Sequence, residues 1–176
     1  QNALLNVSFL EVTTRRNFTE QELSVVIADY EQVLSRYGEN RNTLPIILEL
    51  AHIQAFYAGK GKDAIILLEK TKLISNLSAI ELAQVKMQLA DIHVLHGDIW
   101  ESSLLYMQID NSFKYEPIGH EAKFKNARIF YYDAEFDFAQ SQLDVLKQST
   151  TKLIANDALK LSLLITDNFG LDSNYT

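Results

Sequence analysis

The sequence predicts an all-α protein assembled from repeated antiparallel helical hairpins. Three observations lead there. Apolar residues step by threes and fours through nearly the whole chain, the spacing of one face of a helix. Turn-formers are scarce, with 6 Gly and 2 Pro among 176 residues, too few for a chain of many β-hairpins. Small residues also return at a near-constant interval on successive helical stretches.

The elements follow in order. Residues 1–18 are ambiguous, because Val7, Phe9 and Leu10 fit either half a helix or an extended arm. Thr19-Glu20-Gln21-Glu22 is a capping box: the Thr hydroxyl accepts from an orphan backbone N–H while the Glu reaches back. Leu23, Val26, Ile27, Tyr30, Val33 and Leu34 then form one stripe, and Gly38 supplies a stop. The next helix opens after Thr43, with Pro45 in its first turn, and runs to about Ala58. Beyond Gly59 and Gly61 a short helix carries Ala64, Ile65, Leu67 and Leu68. Ser78-Ala79-Ile80-Glu81 is a second capping box, opening a helix to about His96. Gly97 turns the chain, and Asp98 is expected to cap a helix reaching Phe113. Pro117 opens a helix to about Tyr132, a further one spans roughly Phe136 to Lys147, and a last amphipathic segment runs from about Asn156 to Asn168, closed by Gly170.

Connections this short force neighbouring helices antiparallel, which leaves a bundle or a solenoid. Internal repetition favours the solenoid. LAHIQAFYAGKGKDAI from Leu50, LADIHVLHGDIWESSL from Leu89 and NARIFYYDAEFDFAQS from Asn126 align with Ala in second place, at Ala51, Ala90 and Ala127. A small residue returns on the following helix at Ala64, Ser102 and Ala139, and a bulky one four residues later at Leu68, Tyr106 and Leu143. The intervals are 64−51 = 13, 102−90 = 12 and 139−127 = 12 within units, and 90−51 = 39 and 127−90 = 37 between them. Paired small residues let two helices of a hairpin approach closely while bulky neighbours fill the flanks.

Composition bounds the chemistry. The formal net charge of −7 and the absence of any Lys/Arg cluster argue against nucleic acid as a partner. There is no Cys, which removes disulfides and thiolate chemistry. The longest apolar run, Ala64 to Leu68, is far too short for membrane insertion. The chain opens on Gln1 without a signal peptide and is expected to be a processed protein or a piece of a longer one. His93 and His96, with Asp91 and Asp98, invite a metal reading. Without Cys, a structural zinc would need four His or carboxylate ligands converging, and no metal or cofactor is expected. No phosphate loop, nucleophile elbow or Ser/His/Asp order is visible, so the expectation is a non-enzyme.

The segment LADIHVLHGDIWESSLLY resembles the tetratricopeptide repeat, with Leu89, Ala90, Gly97, Asp98, Ser102 and Tyr106 in the family positions. The third unit keeps Ala127, Ala139 and Leu143 but has Ala134-Glu135 at its turn, and the first has an extra residue in its first helix or turn. The spacing exceeds the usual period of about 34, so the units are elongated and degenerate. The resemblance covers roughly Thr19 to Asp172. It implies a right-handed α-solenoid with a degenerate unit at 19–42, repeats at 43–76, 78–114 and 117–148, and a closing helix at 153–170, all in one domain. The stretch from about Asp98 onward also resembles segments of long bacterial tetratricopeptide-repeat proteins, often exported and of unassigned activity.

That resemblance also implies a binding face. First helices of such repeats line a concave groove, and positions one, four and five after the small residue face the ligand. Transferred here, the third unit offers Arg128, Tyr131 and Tyr132, preceded by Phe124 and Lys125. The second offers Met87, Gln88, Asp91, Val94 and Leu95, and the first Leu48, Glu49, His52, Ala55 and Phe56. Family members that clamp a terminal carboxylate do so with Lys and Asn, which Leu48, His52, Met87 and Asp91 cannot imitate. The expected function is a protein- or peptide-binding scaffold with an unidentified partner. Two readings stand beside it: a structural spacer within a larger protein, with Tyr131 and Phe124 packing on the next hairpin, and an α-helical enzyme.

Overall fold

A computed structural model describes residues 2–15, 18–149 and 151–169. Among these the regular structure is helical throughout, with no strand, and the chain divides into two compact units, Gln1–Gly97 and Asp98–Thr176.

The first unit holds α1 (Asn2–Thr14), α2 (Glu20–Tyr37), a 3-10 turn (Arg41–Thr43), α3 (Leu44–Phe56), α4 (Gly61–Thr71) and α5 (Ala79–His96). Within the ambiguous N-terminal stretch, Asn2–Thr14 is a helix, anchored by Leu5 and Val12, both buried and two turns apart on one stripe. Both capping boxes form: Thr19 Oγ1 accepts from Glu22 N–H while Glu22 accepts from Thr19 N–H, and Ser78 and Glu81 do the same. Arg41 Nε donates to Glu81 Oε1 at 2.9 Å, so the guanidinium, with Ser78, holds the Glu81 carboxyl down at about 2.

The centre of this unit is α3, which packs on α1, α2, α4 and α5. Its sequence suits that place, since Ile46, Ile47, Leu50, Ala51, Ile53 and Ala55 are buried on nearly all sides. Tyr30, fully buried on α2, ties three helices: its hydroxyl donates to Leu5 O or Glu49 Oε2, at 3.0 and 2.8 Å. Gln88 of α5 donates to Leu48 O at 2.7 Å.

The second unit holds α6 (Ile99–Ser112), α7 (Pro117–Tyr132), α8 (Phe136–Leu146) and α9 (Lys152–Phe169). Within it α7 packs on α6, α8 and α9, and α8 also packs on α9. A half-buried ion pair, Lys123 Nζ to Asp110 Oδ2 at 2.6 Å, links α7 to α6, and Lys123 reaches Gln142 of α8 at 3.4 Å. Gln140 donates to Ser162 Oγ of α9 at 2.7 Å, and just before that helix His120 Nδ1 lies 2.8 Å from Ser149 Oγ and 3.1 Å from Thr151 Oγ1. The closing helix begins at Lys152, four residues before the apolar stripe at Asn156 indicated, and the expected stop at Gly170 lies outside the described residues. Asp98 sits at the N-cap of α6 without a side-chain cap bond, correcting its expected role.

The small positions behave alike. Ala51, Ala64, Ala90, Ser102, Ala127 and Ala139 are all fully buried, as are Leu68 and Leu143, with Tyr106 nearly so. Ala51 and Ala64 belong to the packed pair α3–α4, and Ala127 and Ala139 to the packed pair α7–α8. The extra residue of the stretch aligned from Leu50 falls in the turn, where Tyr57 to Lys60 precede α4 while only Asp133 to Glu135 precede α8.

Turn conformation recurs with the side chains. Gly59, Gly97 and Ala134 all have positive φ, at 64, 80 and 63°. The residue after each, Lys60, Asp98 and Glu135, is an N-cap with φ near −90° and ψ of 42, 66 and 66°. Ala134 therefore holds a left-handed conformation that costs an L-residue about 1–2 kcal/mol. Ala134→Gly removes that strain and returns part of it as unfolded-chain entropy, for a net gain of about 0.5–1 kcal/mol. Denaturant midpoints should rise with unchanged slope. A lower midpoint would mean Ala134 does not hold this conformation in solution.

Candidate functional site

On the second unit, α7 carries the sequence-expected residues along one face, and α9 supplies the opposite wall. Phe124, Arg128, Tyr131 and Tyr132 line a shallow cleft of about 370 Å³ together with Asp157, Lys160, Leu161 and Leu164. The spacing explains the α7 wall: 124, 128 and 131–132 fall one helical turn apart. The α9 wall follows the same rule, with Asp157, Lys160 or Leu161, and Leu164 rising by turns.

The side chains divide the cleft into an aromatic end and a cationic one. Tyr131 is half-buried, edge-on to Tyr132 at 5.3 Å and to Phe136 at 5.8 Å. Tyr132 is 74% exposed, so its ring and hydroxyl are open to a ligand. Arg128 is exposed, with its guanidinium 6.0 Å above the Phe124 ring. Among the described residues no carboxylate lies within ion-pair distance of Arg128. Lys160 is exposed and sits 3.6 Å from Asp157, a weak solvated pair. Lys125 does not line the cleft; it is half-buried and pairs with Glu121 at 3.5 Å along the same helix.

The first unit treats its candidates differently. His52 is half-buried among Phe9, Phe56 and Tyr57, with ring centroids 5.7, 4.7 and 5.7 Å away. Burial lowers its pKa, and the nearby Asp91 carboxylate opposes that only in part, so the imidazole is held toward its neutral form. Phe9, His52 and Asp91 thus bring α1, α3 and α5 to one surface. Leu95 and Phe56 are exposed on it and Val94 is partly so, whereas Met87, expected to face a ligand, is buried, as is Ala55. Gln88 and Glu49 are committed to neighbouring helices through Leu48 O and Tyr30.

The α9 residues of the cleft were not among the expected site residues; the amphipathic pattern announces that helix but not its neighbour. Among the described residues, no three His, Asp or Glu side chains are grouped as a metal site would need, and no helix is long and apolar enough to cross a membrane. Comparison of the chain with family models, with curated proteins and with solved structures found no match.

Proposed function

We propose that the chain is a non-enzymatic scaffold of the tetratricopeptide-like kind, a right-handed α-solenoid that holds an acidic, aromatic-containing peptide. The observation that carries this reading is the convergence of Phe124, Arg128, Tyr131 and Tyr132 on one cleft backed by α9. Arg128 can pair a carboxylate bidentately, Lys160 adds a second cation, and the tyrosines offer flat contact area with a hydrogen-bonding tip. The solenoid reading draws on packing within each unit: α3 touches both α1 and α5, and α7 touches α9, so alternate helices meet as the inner layer of such a repeat requires. The recurring turn torsions and buried small residues add to it.

The test pairs binding with stability. A fluorescein-labelled peptide of Glu and Phe should bind more tightly than its Lys and Phe counterpart. Arg128→Ala and Tyr131→Ala should each weaken that binding by about 1–3 kcal/mol with thermal melts unchanged. Partner capture from the source cell should fall in parallel. A drop in melting temperature without a selective loss of binding would make these residues part of the packing and return the chain to a structural spacer.

A further inference from the structure

The second unit carries another concavity, on the side of α7 that faces α6 and α8. It has a volume of about 530 Å³ and is lined by Trp100, Ser103, Leu104 and Met107 of α6, Phe130 of α7, and Glu135 and Phe138 beside and on α8. That volume is in the range of sites that enclose a small ligand or several side chains. Phe130 forms the floor, buried, with Trp100 edge-on at 6.0 Å and Phe138 tilted at 4.4 Å. The walls are open: Trp100 is 76% exposed, Leu104 54% and Met107 45%. Large apolar side chains left in water around one hollow mark a contact surface, since scattered ones do not converge.

Charge identifies what fits. Neither α6 nor the stretch from Asp133 to Leu146 contains a Lys, Arg or His. They carry instead Glu101, Asp133, Glu135 and Asp137, all exposed and none in an ion pair among the described residues. Asp110 and Asp144, by contrast, are already paired with Lys123 and Lys147. An apolar hollow on two acid-bearing helices, with one carboxylate in its wall and an exposed indole beside it, selects a ligand that is apolar and cationic at once. We infer that this pocket docks a basic amphipathic segment of a partner protein, inserting aliphatic or aromatic side chains between Trp100, Leu104 and Phe138 while its Lys or Arg residues meet the acidic rim. This site is separate from the α7–α9 cleft, which is lined by Arg128 and Lys160 and suits the opposite charge.

Trp100 is the chain's one tryptophan, so it reports on this pocket alone. The probe is an amidated helical peptide of about four turns with Leu on one face and Lys on the other. Its titration should shift Trp100 emission to the blue and shield it from acrylamide, and the binding should weaken as salt is raised. Leu104→Lys places a like charge in the hollow at an exposed position and should weaken binding about tenfold or more, with the melt unchanged. Gln32→Lys, an equal charge change at an exposed position of α2, should leave affinity within about twofold. The inference is overturned if a Leu and Glu peptide binds equally, or if binding leaves Trp100 emission unmoved. Equal losses in both variants would reduce the effect to net charge. Concentration-dependent blue shift and sedimentation as a dimer without peptide would give the pocket to a second copy of the chain instead.

Discussion

Gly119→Ala should destabilise the protein by about 3 kcal/mol, at the upper end of overpacking costs, although Ala is the better helix former. Gly119 lies in the first turn of α7 and is buried. A Cβ there would land on the Phe113 carbonyl group, oxygen and carbon both, where α6 ends. Backbone cannot rotate aside as a side chain can, and this carbonyl is already committed, accepting from Glu116 N–H at 2.9 Å to close the α6–α7 turn. Adding the methyl must therefore shift α7 against α6, straining the Lys123–Asp110 pair that joins them. Gly61→Ala is the matched control. The three atoms nearest its Cβ all belong to the imidazole of His96, an exposed side chain able to swing away, and the gain in helix propensity offsets that movement. Urea melts should separate the two variants clearly. Equal midpoints would mean that α6 and α7 are not seated this closely.

This contrast shows what a pattern in one dimension carries. Helix starts written in local chemistry were legible: the capping boxes at Thr19 and Ser78 and the Pro117 start all open helices at the expected residues. The small residues singled out by their spacing, Ala51, Ala64, Ala127 and Ala139, are all buried, as close approach of neighbouring helices requires. Helix α1 was not, since Leu5 and Val12 are buried while Val7 and Leu10 are exposed, and apolar residues on both faces blur the period. Ala134 was seen to replace the usual turn glycine, yet nothing in its identity announces positive φ. Only the surrounding turn imposes it.

The same division runs through the site. Four of the five residues expected from the third repeat share the cleft, because their spacing along α7 fixes their face. Lys125 departs by one position, and on a helix one position is about 100° of rotation. The α9 wall depends on tertiary packing and has no sequence signature. The acidic pocket did leave one: Trp100, Leu104 and Met107 stand at i, i+4 and i+7, a stripe that reads as core until its exposure is measured. Met87 and Leu95 show the converse on α5, one buried and one exposed where both had been placed on a single face.

The largest effect is expected at Tyr30. Tyr30→Ala should cost about 3–5 kcal/mol, since a fully buried aromatic ring is replaced by a void that α1, α2 and α3 surround and can only partly fill. Tyr30→Phe keeps the ring and isolates the hydroxyl. It leaves Leu5 O and the half-buried Glu49 carboxylate without that donor, at a cost of about 1–3 kcal/mol. Alkaline titration then tests the bond itself. Burial first, and then the Glu49 hydrogen bond and charge, raise the Tyr30 pKa above its ordinary value of 10. Between the unfolded and the raised folded pKa the unfolded chain binds fewer protons, so stability falls as pH rises above about 10. Tyr30→Phe lacks this term, and the stability gap between the two proteins should narrow over that range. A gap that stays constant from neutral pH to above 10 would show that Tyr30 ionises as freely in the folded chain as in the unfolded one, and that the three-helix junction does not close around it.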